Sequence, residues 1–290
     1  MSTRTHLRAL LRQPGIVAAP GAYDCVSALV IAATGFPAVY MTGNGVSAAY
    51  LGAADVGLLT LTEMAGQAAR IAAAVSVPVI TDADTGYGNP LNVTRTVQEY
   101  ERAGVAALHI EDQTFPKRCG NMEGKTVIPR PEMVQKVRAA VRARQDPDLV
   151  IIARTDARDP HGIADAIARG RAYAEAGADM VFVEGPRTRE EIERVARELR
   201  GIPLVFNNSA SGKVPPINVA DLEALGFKLV IFPTHALYAA TRAVQQFMAA
   251  LRETGDPRKA PVDLVDFESF NSLIGLDRIR ELEREFVTEG

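Results

Sequence analysis

Apolar and polar positions along the chain fall into short β-branched runs separated by alanine-rich amphipathic stretches. That alternation predicts parallel strands joined by crossover helices: a strand covered on both faces reads as a near-continuous apolar run, whereas a covering helix needs one apolar stripe. The spacing predicts eight strands, at "IVAAP" (16–20), "AVYMTG" (38–43), "VPVITDAD" (77–84), "AALHIEDQ" (106–113), "LVIIARTDA" (149–157), "MVFVEG" (180–185), "PLVFNN" (203–208) and "LVIFP" (229–233). Between them, "PLNVTRTVQEYERAGV", "IADAIARGRAYAEAGAD" and "TREEIERVARELRG" carry helical periodicity with a glycine at or near the end, where a helix closes most readily.

Eight such units in about 250 residues have the size of a (β/α)8 TIM-type barrel; an open doubly wound sheet is the competing arrangement. The expected organisation is an α/β barrel over residues 1–255 and a helical extension over 256–290, with no charge block or proline-rich linker between them. The extension, "DLVDFESFNSLIGLDRIRELEREF", carries Phe267, Phe270, Leu273, Ile274 and Ile279. So many apolar groups are expected to cover the barrel wall or a neighbouring subunit, which favours an oligomer.

Composition narrows the class. A 47% hydrophobic content supplies a sizeable core, and a net charge of -3 leaves no basic stripe for nucleic acid. No apolar run has the length of a membrane span, and the amino terminus lacks the charge-then-apolar order of an export signal, so a cytoplasmic protein is expected, with no membrane partner. Cys25 and Cys119 are expected to be reduced and separate, Cys25 as a packed thiol on the first helix.

Chemistry collects at the carboxyl ends of the predicted strands, where a parallel barrel forms its site. Asp82 and Asp84 end the third run two positions apart, hence on one side of a strand. Glu111 and Gln113 end the fourth, Arg154 and Asp156 the fifth, Glu184 the sixth and Asn207 the seventh, while Thr42 ends the second and Asp55 follows it. Four carboxylates, Asp55, Asp82, Asp84 and Glu111, would repel one another if they converged, and a divalent cation relieves that. All-oxygen donors without a histidine or cysteine cluster point to Mg²⁺ or Mn²⁺. In "KRCGN", just past the fourth strand, Cys119 is expected to hang over the site, with Lys117 and Arg118 favouring its thiolate and Gly120 and Gly124 letting the loop swing. His109, inside the fourth strand, reads as a satisfied interior histidine.

The motifs "VITDADTGYGN", "IEDQTFPKRCG", "IIARTDA" and "VFVEG", in this order, resemble the isocitrate lyase and phosphoenolpyruvate mutase superfamily over residues 10–250. The resemblance is nearest to the short branch with 2-methylisocitrate lyase, dimethylmalate lyase, oxaloacetate hydrolase and carboxyphosphonoenolpyruvate mutase. It implies Mg²⁺ on Asp82, Asp84 and Glu111 with Asp55 as a further carboxylate. It also implies a keto or hydroxy acid whose carboxylate is received by Thr42, Gly43, Asn44 and Arg154, with Tyr40, Glu184 and Asn207 as neighbouring polar groups. Carbon-carbon lyases of the family carry the cysteine, so the resemblance implies a lyase acting on a small 2- or 3-substituted malate-like acid, Cys119 protonating the leaving carbanion and Tyr40 or a metal-bound water as base. The family's exchange of carboxyl-terminal helices implies a homotetramer.

The chain departs from the pattern at Asn121, where lyases of the family have histidine, and at Asn44, where many have glycine. His235 resembles oxaloacetate decarboxylases of the superfamily, or is a helix cap or packed ring. Gly120, Asn121 and His235 complete the expected substrate contacts. Oxaloacetate decarboxylation or hydrolysis, phosphonomutase chemistry of the carboxyphosphonoenolpyruvate type, and a silent metabolite-binding barrel are the alternatives.

Overall fold

The computed structural model describes residues 1–287 and shows eight parallel strands hydrogen-bonded in chain order into a closed barrel. They are β1 (Val17–Ala22), β2 (Val39–Met41), β3 (Val79–Asp82), β4 (Ala107–Glu111), β5 (Val150–Thr155), β6 (Met180–Val183), β7 (Leu204–Asn207) and β8 (Leu229–Phe232). Pairing of Val17 with Leu229 closes the ring, which removes the open-sheet alternative. Around it run α1 (Thr3–Arg12), α2 (Cys25–Ala33), α3 (Gly43–Val46), α4 (Leu61–Ala74), α5 (Pro90–Arg102), α6 (Arg130–Ala143), α7 (Arg158–His161), α8 (Ile163–Glu175), α9 (Arg189–Glu198), α10 (Val219–Ala224) and α11 (His235–Thr254). Two more, α12 (Phe267–Leu273) and α13 (Leu276–Phe286), follow the barrel.

Local chemistry starts these helices where they begin. Asp24 caps α2, Thr60 and Glu63 cap α4 reciprocally, and Asn89 caps α5 ahead of Pro90, whose missing N–H costs nothing in a first turn. The barrel interior is filled by Val17, Tyr40, Ile80, Ile152, Phe182, Val205 and Ile231, and a second apolar layer lies between strands and helices. Leu7 of α1 joins the interior cluster, and Arg4 and Arg8 donate to the carbonyls of Val105 and Leu149. This helix therefore plugs the amino-terminal mouth, a role the sequence reading did not assign to it.

Most expected strands run past the observed ones at their carboxyl ends. The consequence is largest at Asp84, which lies beyond β3 in the left-handed region with φ 47°. Its carboxylate is therefore not aimed by strand alternation with Asp82, and that part of the sequence argument is corrected. The extension also behaves differently from one expectation. Its helix α12 packs on α13 and on α2 of the barrel and Leu273 is half-buried, while Phe267 is 78% exposed and Phe270, Ile274, Ile279 and Phe286 are also exposed, so much of this apolar surface is not covered by the chain's own barrel. Residues 288–290 of the expected extension lie outside the described residues. Among the described residues no helix is long and apolar enough to cross a membrane.

Candidate active site

The carboxyl ends of the strands close around a small cavity with ≈ 30 Å³ of free volume. Tyr40, Thr42, Asn44, Asp55, Asp82, Glu111, Arg154 and Asn207 line it from below and beside, and Cys119, Gly120 and Asn121 cover it from the loop after β4. Eleven of the expected site residues thus meet at one place, as the barrel reading requires. Such a volume holds about two waters.

Three buried cations organise the carboxylates. Lys117 Nζ lies 2.5 Å from Asp55 Oδ1 and 2.6 Å from Asp84 Oδ1. Burial penalises the ammonium, but Asp84 and Asp55 hold its pKa well above the usual lysine value. Arg154 makes a two-point contact with Asp156, Nε to Oδ2 at 2.9 Å and Nη2 to Oδ1 at 3.0 Å, with Nε 3.3 Å from Glu111 Oε2. Lys125 Nζ reaches Asp156, Asp159 and the Gly120 carbonyl. Burial works against ionisation of Asp156, yet Arg154 and Lys125 hold it at about 2. The four expected metal carboxylates are therefore not free to converge on an ion: Asp55 and Asp84 are paired with an ammonium, and among the described residues no three Asp, Glu, His or Cys side chains close on a common point. Lys117, expected to act on Cys119, instead supplies charge to two of them.

The remaining oxygens still suit a hard cation. Glu111 Oε1 is buried without a hydrogen-bond partner, and burial pushes Glu111 well above the carboxylate range and Asp84 to about 6. Asp82 is held low despite burial by His109, Lys117 and Arg154. Asp82 and Glu111 face the cavity, and a cation that keeps several waters can engage Asp55 and Asp84 through them.

The covering loop differs from expectation in its electrostatics. Lys117 is spent on Asp55 and Asp84, and Arg118 is exposed, its guanidinium donating to the Glu123 carbonyl. Burial, then Asp55, pushes the half-buried Cys119 thiol up, so the expected thiolate is corrected to a protonated thiol. Gln113 pins the loop through both the N–H and carbonyl of Arg118. A Cβ on Gly120 would stand 2.6 Å from Arg154 Nη2 and 2.8 Å from Glu184 Cδ, so only glycine lets this turn approach the guanidinium. Asn121 Nδ2 donates to Ser209 Oγ at 2.8 Å, and its Oδ1 accepts from Ser211 Oγ at 2.9 Å, which ties the loop to the segment after β7.

Thr42 caps α3 by accepting from the Gly45 N–H, and a Cβ on Gly43 would meet Asp82 Oδ2 at 2.5 Å. Glu184 accepts both contacts of the Asn207 amide and supports Arg154 from behind rather than lining the cavity. His235 does not join the site: it is exposed at the start of α11 with its ring edge-on to Phe232, and Pro233 and Thr234 line the cavity instead. His109 is less satisfied than expected. It shares a 2.8 Å hydrogen bond with Tyr40 Oη, but Nδ1 has no partner and lies 3.7 Å from Asp82, and burial lowers its pKa to about 4. Burial and Asp82 push the Tyr40 phenol well above its ordinary value, so it stays protonated at the cavity wall. The pairing roles of Lys117 and Lys125, and the lining by Thr234, had no spacing signal in the sequence, because each depends on how a loop folds back, whereas Arg154 and Asp156 pair at two positions apart.

A family model described as phosphoenolpyruvate phosphomutase matches residues 7–252. The chain is 48% identical over 288 residues to 2,3-dimethylmalate lyase of Eubacterium barkeri, covering 99% of each chain. A structure of oxaloacetate acetylhydrolase in complex with the inhibitor 3,3-difluorooxalacetate superposes with a TM-score of 0.95 at 36% identity, over 100% of this chain and 98% of that one. A structure of phosphonopyruvate hydrolase in complex with oxalate and Mg²⁺ superposes with a TM-score of 0.91 at 33% identity, over 99% and 100%. With the closed barrel, the acidic cavity and the cysteine loop all in place, the chain belongs to the phosphoenolpyruvate phosphomutase family, within the isocitrate lyase and phosphoenolpyruvate mutase superfamily.

Proposed function

We propose that the cavity binds a 2- or 3-substituted malate-like acid together with Mg²⁺ or Mn²⁺, and that the chain, a carbon-carbon lyase, cleaves it to an alpha-keto acid and a second carboxylic acid. The observation that carries this reading is the placement of the protonated Cys119 thiol over the same cavity as Arg154, Asp82 and Glu111. Asp82 and Glu111 would hold the cation, with Asp55 and Asp84 beside Lys117 engaging it through water. When bound, the cation supplies Lewis-acid stabilisation of the developing carbonyl and its neighbouring carboxylate.

The chain's own groups do the rest. Arg154, fixed by Asp156, presents positive charge to the substrate carboxylate and to the negative charge that grows as the bond breaks. Thr42, Gly43 and Asn44, at the start of α3, receive a carboxylate, and Tyr40 Oη donates to a substrate oxygen. The substrate hydroxyl loses its proton to a base, the adjacent carbon-carbon bond breaks, and the leaving carbon takes a proton from Cys119 Sγ. A thiol that starts protonated is in the state this step needs. Asn121 orients the loop over the reacting fragment, and Glu184 and Asn207 hold Arg154.

Oxaloacetate chemistry loses one of its supports with the exposed His235. The uncovered apolar side chains of α12 and α13 support a homotetramer in which residues 256–290 pack on a neighbouring subunit of a cytoplasmic enzyme. The test is a product screen with Mg²⁺, with and without EDTA, over 2,3-dimethylmalate, 2-methylisocitrate, other alkylmalates and oxaloacetate. Metal-dependent cleavage of an alkylmalate is expected. Turnover of oxaloacetate alone, full activity after exhaustive chelation, or ligand-dependent melting with no turnover overturns the reading.

A further inference from the structure

We propose that Lys136, a buried lysine of α6 that takes no part in the reaction above, is a positioning residue for the acidic turn after β3 and thereby sets the cavity's affinity for a divalent cation. The proposal rests on the metal reading of the cavity. That turn, residues 83–88, has an improbable backbone: Asp84 and Tyr87 are non-glycine residues at φ 47° and 57°, with Gly86 and Gly88 also at positive φ. Such conformations persist only where the surroundings over-determine them.

Here the over-determination is visible at three carbonyls. Asp82 O accepts from Tyr100 Oη, Thr85 O accepts from Lys136 Nζ, and Gly86 O accepts from Thr96 Oγ1, each at 3.0 Å. Tyr100 and Thr96 belong to α5, so Lys136 is the hold from α6. On the other side, the Asp84 N–H donates to Asp82 Oδ1 and the Asp84 carbonyl accepts from the Glu111 N–H, both at 2.9 Å. Pulling on the Thr85 carbonyl therefore fixes the residue that links Asp82, Asp84 and Glu111.

Lys136 is also costly, which argues against idle packing. It is 4% exposed, and its ammonium makes no ion pair among the described residues. An unpaired buried charge is unfavourable unless something nearby requires it. Burial pushes its pKa down, and the carboxylates opposing that are Glu132, Asp112 and the cavity's own Glu111. The ammonium thus acts on the ligand set through the Thr85 carbonyl.

The experiment is titration of the metal-free protein with Mn²⁺, read as free Mn²⁺ by electron paramagnetic resonance, with no turnover involved. Lys136→Met should bind Mn²⁺ roughly tenfold more weakly, and Lys136→Arg, which keeps donor and charge, should stay within about threefold of the parent chain. Parent-like Mn²⁺ affinity in folded Lys136→Met, or failure of Lys136→Arg to recover it, overturns the proposal. If Lys136→Met does not accumulate as folded protein, Lys136→Gln is titrated against the same criterion. Failure of the parent chain to bind Mn²⁺ overturns the metal reading and this proposal together, whereas parent binding that is indifferent to residue 136 overturns this proposal alone.

Discussion

The ammonium of Lys117 lies 2.6 Å from the carboxylate of Asp84, and both groups are buried beneath the loop that carries Cys119. The same ammonium reaches Asp55. One side chain of the covering loop therefore neutralises the floor of the cavity, which couples closure of the loop to the charge state of the carboxylates below it.

Removing that ammonium strands two buried carboxylates. Lys117→Met should cost about 3–5 kcal/mol, a fall in melting temperature on the order of 10 °C, because breaking one side of a buried pair leaves an uncompensated charge. Thermal unfolding in EDTA checks this, and Mg²⁺ should restore part of the loss by supplying charge to the same oxygens. An unchanged melting temperature would show that the pair contributes nothing.

Gly120→Ala tests the close approach of the loop to the guanidinium. A methyl group 2.6 Å from Arg154 Nη2 cannot be accommodated unless Arg154 or the turn shifts. Overpacking of this kind costs about 1–3 kcal/mol, and displacement of a substrate-holding group by about 1 Å can cost roughly a hundredfold in kcat/KM. Steady-state kinetics beside a melting curve should show a loss of rate much larger than the loss of stability; comparable kinetics in the variant would mean that the turn has room.

Cys119→Ser separates proton donation from packing. A hydroxyl is a far weaker acid than a thiol, so kcat should fall by roughly a hundredfold, about 3 kcal/mol of transition-state stabilisation, with little change in KM. A variant that keeps its rate on an alkylmalate would remove Cys119 from the proton transfer.

Asp156 makes a prediction about acid. Its folded pKa, about 2, lies below the value of 3.8 it has when unperturbed, so the unfolded chain binds its proton first. The stabilisation, about 2 kcal/mol, is therefore present in full above pH 4 or so and is lost as pH falls through about 2. Urea unfolding of the parent chain and Asp156→Asn should show a gap at pH 7 that narrows at pH 3. A gap of constant size would assign the effect to geometry alone.

The exposed apolar side chains of α12 and α13, with Phe267 at 78% exposure, motivate a test of assembly. A chain ended near residue 255 should have a smaller mass by light scattering than the full chain, and an unchanged mass would place the subunit contacts elsewhere.

The barrel was legible in the sequence because burial on both faces writes a parallel strand as a run of Val, Ile and Ala, and eight such runs at helical spacing leave few other ways to hide them. Asp82, Glu111, Arg154 and Asn207 were legible for the same reason, since the carboxyl end of a strand is a position along the chain. What depends on the return path of a loop was not. Asp84 sits two residues from Asp82 in sequence, yet its left-handed backbone takes it off the strand's alternation. Lys117 reads as a neighbour of Cys119, but its side chain pairs with Asp55 and Asp84, while burial and then Asp55 push the thiol up and keep it protonated. His235 looked like a site histidine and stands outside on its helix. Short-range pattern specifies which face of an element is buried; which buried charge finds which partner is decided by desolvation, and desolvation exists only once the chain has closed over the groups concerned.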